Sequence, residues 1–458
     1  MIDFIEVCRR ASSGPLISEE RFDRELFFPT VQELVKKYEI KPDLANPVCD
    51  SDAEADAIYQ AGLELITRVG VYCTDSNRII ELGTDEVSEA LREAPGPCWF
   101  GEGKDRRFYP VRRPDDFDTP AMCAVGGSLP CSTEEIAFKT VEGIARIHEA
   151  DCITQPSIMH LNQVPIVAGS PQGFLACIRG VEIGRSACRQ AGRPGLAFVN
   201  GLPGAGSAIE TIAASFPAFG LRPSDGWYVG FTAEMKISYG ALVKCALLER
   251  VGGHIGSEQA PIIGGYCGGP AGAAITNVAY IIAGIMVMRG HYALCFPVDM
   301  NLGVTGTRGV LWATSASSQA ISRHINYPFH HVAYPNGGPM TESYFYEVAA
   351  HHLAAITSGS SAQTGLPAKG TQTDHMTPLE FKLAAKIISS AHKVSRSEAN
   401  EIVNRIIPKY EEKLASPNIG KPYQAVFDID TGLPTAEYIA FYQRMKKALQ
   451  DMGVPLDV

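Results

Sequence analysis

Glu258 stands where a carboxylate has no ordinary surface reason to be. It follows the apolar run His254-Ile-Gly-Ser and precedes QAPIIGGYCGG, a stretch with no neighbouring charge. A carboxylate so placed can serve as a general acid or balance a cationic substrate, and the competing reading is a structural ion pair. Trp227, Tyr228 and Phe231 share a β-prone run, WYVGFT. Aromatic faces beside a carboxylate suit a protonated or quaternary amine, although rings in such a run also serve as plain core. His330 and His331 lie in YPFHHVAY. On a regular strand they point to opposite faces, so only one reaches a shared interior, and His330 shares its side with Val332 and Tyr334.

Other chemistries find less support. The turns 201–206 and 268–272 are Gly-rich, but neither is GxGxxG and no GxxxxGK[ST] occurs, so nucleotide binding is not expected. Without HExxH or closely spaced Cys/His ligands no metal site is expected, and no GxSxG elbow is present. The turn Asn336-Gly337-Gly338 offers backbone amides that could hold an oxyanion or phosphate, with Glu258 as base, in a lyase or isomerase.

These residues need elements to position them. Eight short β-prone runs, at 123–127, 152–158, 196–200, 227–232, 254–258, 291–300, 327–334 and 360–364, are each followed by a turn and a longer amphipathic or apolar segment. The last run is the least marked. Ser132-Thr-Glu-Glu135 reads as a capping box, and Gly192 as the residue just past a helix that begins near Ser170. Such alternation with short connections predicts a (β/α)8 barrel, an α/β fold whose active site lies at the C-terminal ends of the strands. That filter selects Gln155, Asn200, Tyr228, Glu258, Asp299, Asn301, His330, His331, Tyr334 and Asn336. Residues 1–120 read as an N-terminal helical layer followed by a β connector, 121–377 as the barrel, and 378–458 as a C-terminal helical cap, the three forming one integrated domain.

Composition narrows the function class. The 458 residues are 45% hydrophobic and 20% charged, with net charge −10, so a packed globular core is expected and nucleic acid or an anionic membrane is an unsuitable partner. The apolar run 277–288 is too short to span a bilayer and reads as a buried helix. The start of the chain lacks signal-peptide features, and a cytoplasmic location is expected. The twelve cysteines, with no CxxC pair, read as buried, reduced thiols.

Five separated runs carry a resemblance: GVYCTDSNRII (70–80), AGRPG (191–195), EMKI (234–237), EQAPIIGGYCGG (258–269) and YPNGGPMTE (334–342). In this order and spacing, across nearly the whole chain, the protein resembles the monomethylamine:corrinoid methyltransferases. The resemblance implies a (β/α)8 barrel that moves a methyl group from an amine to the cobalt of a separate corrinoid protein, and a homo-oligomer, in that family a hexamer. The corrinoid-binding signature DxHxxG is absent, so the corrinoid is expected on a partner and no tightly bound cofactor on this chain. The family's pyrrolysine falls on Val199 or Asn200, and neither side chain can form an imine. Of its two active-site glutamates, the second matches Glu258 and the first falls on Tyr228. Its glutamine falls near Val332, and its tyrosine matches Tyr334.

The resulting expectation is a methyltransferase without pyrrolysine that takes a methylated amine, a quaternary one for preference, as donor. Glu258, Tyr228 and Tyr334 would act on the substrate, while Trp227, Phe231, Val199, Asn200, His330 and Val332 would line the pocket. Rival expectations are an O-, S- or metalloid-methyl donor handled by His330 or His331 with a cysteine, the corrinoid-free lyase or isomerase, and a non-catalytic carrier-binding subunit.

Overall fold

The computed structural model describes residues 2–154, 156–199, 207–215 and 220–456. Its central sheet has eight parallel strands: β1 (Cys123–Gly126), β2 (Cys152–Thr154), β3 (Ala197–Phe198), β4 (Gly226–Gly230), β5 (His254–Gln259), β6 (Tyr292–Cys295), β7 (Phe329–Val332) and β8 (Ser361–Gln363). Their order in space is β3-β2-β1-β8-β7-β6-β5-β4, and a parallel bridge from Val199 to Gly226 joins the two edges into a barrel. Every one of the eight β-prone runs overlaps one of these strands, including the faint run at 360–364.

Each strand is followed by one helix: α1 (Glu134–Ala145), α2 (Pro171–Gln190), α3 (Ala208–Ser215), α4 (Tyr239–Val251), α5 (Pro270–Val287), α6 (Arg308–His324), α7 (Glu342–Thr357) and α8 (Pro378–Ser390). Ser170, Ser238, Thr307 and Thr341 begin four of them, each accepting a backbone amide that the first helical turn leaves without a partner. The cap of α1 is Thr133, which accepts from Ile136 N, and not Ser132. Ser132 is drawn instead to Asp374, bonding it through both its amide and its hydroxyl at 2.7 Å. The segment from 378 also departs from the expected cap, because α8 packs on β1, α1 and α7 and completes the barrel. The apolar run 277–288 lies within and just beyond α5. That helix is long and apolar enough to cross a membrane, but 94% of it is buried, and it packs between α6 and the N-terminal helix Asp52–Val69. All twelve cysteines are free thiols and ten are buried.

The stretch expected as a connector does more than connect. Cys98–Phe100 and Arg107–Tyr109 pair antiparallel. Alternation sends Trp99 and Phe108 outward to solvent, while Phe100 and Tyr109 are buried. Phe100 and Tyr109 both lie against Tyr292 of β6, at centroid distances of 5.3 and 5.9 Å. Room for the Tyr292 ring is made by glycine. A Cβ at Gly226 would stand 2.4 Å from its hydroxyl, and one at Gly256 would stand 2.4 Å from its Cζ. The hairpin therefore stoppers one end of the barrel with rings that no barrel strand supplies.

Candidate active site

Strand alternation sets the interior. Gly226, Tyr228 and Gly230 on β4 share a face with Gly256 and Glu258 on β5, through the pairs Tyr228 with Gly256 and Gly230 with Glu258. The same parity places Tyr292 and Leu294 of β6, His330 and Val332 of β7 and Gln363 of β8 inside. Glu258 is the one carboxylate among the described strand residues on this inner face. It lies one layer above Tyr228, towards the C-terminal ends of the strands.

Below Glu258 the barrel is closed by a hydrogen-bonded aromatic floor. Tyr109 Oη lies 2.6 Å from His330 Nδ1, and Tyr228 Oη lies 2.7 Å from His330 Nε2. Tyr228 also donates to Gln363 Oε1 at 3.4 Å, and Gln363 Nε2 donates to the Gly126 carbonyl at 2.8 Å. Burial pushes the imidazole down to about 3, so His330 is neutral. Burial also raises both phenols well above their ordinary range.

The Glu258 carboxyl makes no hydrogen bond to a described residue, although its backbone carbonyl accepts from Phe231 N at 2.9 Å. Removal from water raises its carboxyl to about 7, opposed by the nearby positive charge of Lys244 on α4. Tyr334, just past β7, is raised by burial and then by the Glu258 charge. Its ring lies 5.0 Å from that of Phe296, at 32°. Past the strand ends, then, the mouth combines a carboxyl that makes no hydrogen bond to a described residue with the adjacent rings of Tyr334 and Phe296, an arrangement able to receive a small cation.

The predicted residues divide clearly. Glu258, Tyr228, Tyr334, His330 and Val332 are gathered in or over the bore. His331 faces the opposite way, with its ring 6.3 Å from His351 on α7, as strand parity requires. Trp227 does not line the pocket: it is 1% exposed, and its ring covers Gly253 in the turn before β5. Phe231 turns its ring to Tyr280 of α5, 5.3 Å away. Both lie in the helical layer, because they sit at odd spacing from the inward Tyr228. Val199 is fully buried at the closing bridge, with Cγ1 3.0 Å from a Cβ built on Gly226. Asn200, Gln155 and the turn 201–206 lie outside the described residues.

Two rival sites lose their groups. The amides of Asn336 and Gly337 donate to Glu347 at 2.7 and 3.0 Å, so a protein carboxylate already fills the expected oxyanion turn. Asp299 accepts from the amides of Asn301 and Leu302, both at 3.0 Å, and organises its own loop. In the other Gly-rich turn, Gly268 donates to the Gly265 carbonyl. Among the described residues no group of three His, Cys, Asp or Glu is disposed to hold a metal ion. Sequence reasoning missed Tyr109, Tyr292, Phe296 and Gln363. For the three strand-linked residues, the period-two parity already applied to His330 was the available signal.

Comparison with known proteins agrees with this architecture. The family model for monomethylamine methyltransferase MtmB matches residues 2–454. Monomethylamine methyltransferase MtmB of Methanosarcina mazei is 28% identical, the alignment covering 97% of this chain and 96% of the relative. MtmB2 of Methanosarcina acetivorans is 29% identical with the same coverage. The crystal structure of the Methanosarcina barkeri enzyme superposes with a TM-score of 0.95 at 27% identity, over 99% of this chain and 98% of that one. The chain thus belongs to the monomethylamine methyltransferase MtmB family and is a methyltransferase.

Proposed function

We propose that the protein transfers a methyl group from a methylated amine, most suitably a quaternary one, to the cobalt of a corrinoid carried by a separate protein, without pyrrolysine. The observation that carries this reading is the mouth itself. One carboxyl, Glu258, lies near enough to Tyr334 for its charge to act on that phenol, Tyr334 packs on Phe296, and the position that the resemblance gives to a second family glutamate is taken by Tyr228. A single carboxylate with aromatic faces matches one fixed positive charge and demands no proton from the ligand. Simple neutral amines are poor methyl donors, whereas a quaternary ammonium releases a neutral amine.

The corrinoid enters as the second substrate. Beneath Glu258 the bore is filled by Tyr228, Tyr292, His330 and the hairpin rings, which leaves the mouth as the direction of approach. Cobalt supplies the electron pair for the new bond to carbon, while the C–N pair returns to nitrogen. Glu258 holds the cation before transfer, and that attraction fades as the nitrogen loses its charge. Its contribution therefore falls on substrate binding and on release of the neutral amine.

The test is to mix the protein with a reduced corrinoid carrier shown to be active with another methyltransferase, and add donors singly while following the cobalt spectrum. Methyl-cobalt formation with a quaternary amine is expected. Turnover of monomethylamine alone overturns the quaternary assignment, and silence with every methylated amine overturns the reading.

A further inference from the structure

The hydrogen bonds through the barrel floor have one consistent direction. Gln363 uses its amide nitrogen on the Gly126 carbonyl, so its oxygen faces Tyr228 and can only accept. The arrangement that leaves no acceptor in this set without a donor has Tyr228 donating to Gln363 and accepting from His330, which places the imidazole proton on Nε2. Nδ1 is left bare and accepts from Tyr109. Tyr109, His330 and Gln363 are at most 3% exposed, whereas Tyr228 is 8% exposed and lies in the layer directly beneath Glu258.

We infer that Tyr109, a residue from outside the barrel, is a positioning residue that acts through His330 to fix the Tyr228 hydroxyl as a hydrogen-bond acceptor towards the substrate. With its proton committed to Gln363, Tyr228 offers the pocket a lone pair and no donor. The floor then adds to the negative potential of Glu258 and disfavours ligands that present a carbonyl or an anion. This makes the pocket selective for polarised C–H or N–H groups around a positive nitrogen. The order of the hydrogen bonds stands on the contact geometry and on satisfying each buried acceptor, whereas its consequence for ligand choice rests on the methylated-amine reading above.

Tyr109→Phe removes one hydroxyl and leaves the ring that packs on Phe100 and Tyr292. Two readouts test the idea in the full-length protein: the nitrogen spectrum of labelled His330, and the affinity for tetramethylammonium. In the wild type the Nε2–H tautomer is expected at neutral pH; finding Nδ1–H overturns the proposal without any variant. Tyr109→Phe should redistribute the tautomer and weaken tetramethylammonium by about 3- to 10-fold, the range of one neutral hydrogen bond. Tyr228→Phe should weaken it at least as much, and the double variant no further than Tyr228→Phe. Unchanged affinity in Tyr109→Phe, or losses that add, overturns the positioning role. Should no methylated ammonium bind the wild type, the methylated-amine reading fails while the tautomer measurement still decides the hydrogen-bond order.

Discussion

Replacing Glu258 by Gln should make the protein more stable and less able to bind its substrate. A Glu in water ionises near 4.5, whereas burial holds the Glu258 carboxyl protonated to about 7. Because the folded-state value is the higher one, the folded protein binds more protons than the unfolded chain between these two values. Stability contributed by this group is therefore lost as pH rises from 4.5 to 7. The slope is about 1.4 kcal/mol per pH unit, giving about 3 kcal/mol by pH 8. Gln fills nearly the same volume and has no such dependence. The stability difference between Glu258→Gln and wild type, from urea unfolding at a series of pH values, should be near zero at about pH 4 and reach about 3 kcal/mol at about pH 8. Since tetramethylammonium does not titrate, its wild-type affinity should rise about tenfold per pH unit below 7 and level off above it. The variant should bind it weakly and without pH dependence. A stability difference that stays flat with pH, or a variant less stable at about pH 8, would refute a desolvated carboxyl at this position.

Two further outcomes separate the rings that face the mouth from those that do not, and test the packing beneath it. Phe296→Leu should weaken tetramethylammonium by about 5-fold, the scale of one cation–π contact, while Trp227→Phe leaves the affinity unchanged; calorimetric titration of both variants checks this. Gly256→Ala places a Cβ 2.4 Å from Tyr292 Cζ, and should cost about 3 kcal/mol in denaturant unfolding, because the ring is wedged between Phe100 and Tyr228 and has nowhere to move.

The barrel was legible because its signals are local. Short buried strands, Ser or Thr at helix starts and the regular alternation of the two survive without tertiary information, and even the faint eighth run holds a strand. Glu258 was legible for a related reason: a charge inside an apolar run is anomalous wherever the chain goes. The aromatic set was read less well. Trp227 and Phe231 were grouped with Tyr228 by proximity in sequence, although strand parity, which correctly divided His330 from His331, puts them on the other side of the wall. Tyr109 could not be found in this way. Its role depends on a contact with His330 across 221 positions, and nothing in RFYPV distinguishes a barrel stopper from a surface hairpin. Ser132 lost its predicted capping role to an equally remote partner, Asp374.

The stoppering hairpin also bears on how such a protein can be cut, grafted or evolved. The repeating strand–helix units enclose a bore that they do not fill, and two inward glycines keep it wide enough for the Tyr292 ring. A fragment beginning at Ala121 would retain all eight strands yet lack Phe100 and Tyr109, exposing the inner rings to water and leaving His330 Nδ1 without its donor. Such an excised barrel is not a smaller enzyme but an unfinished one: its apparent modularity ends at the N-terminal face, which the hairpin closes.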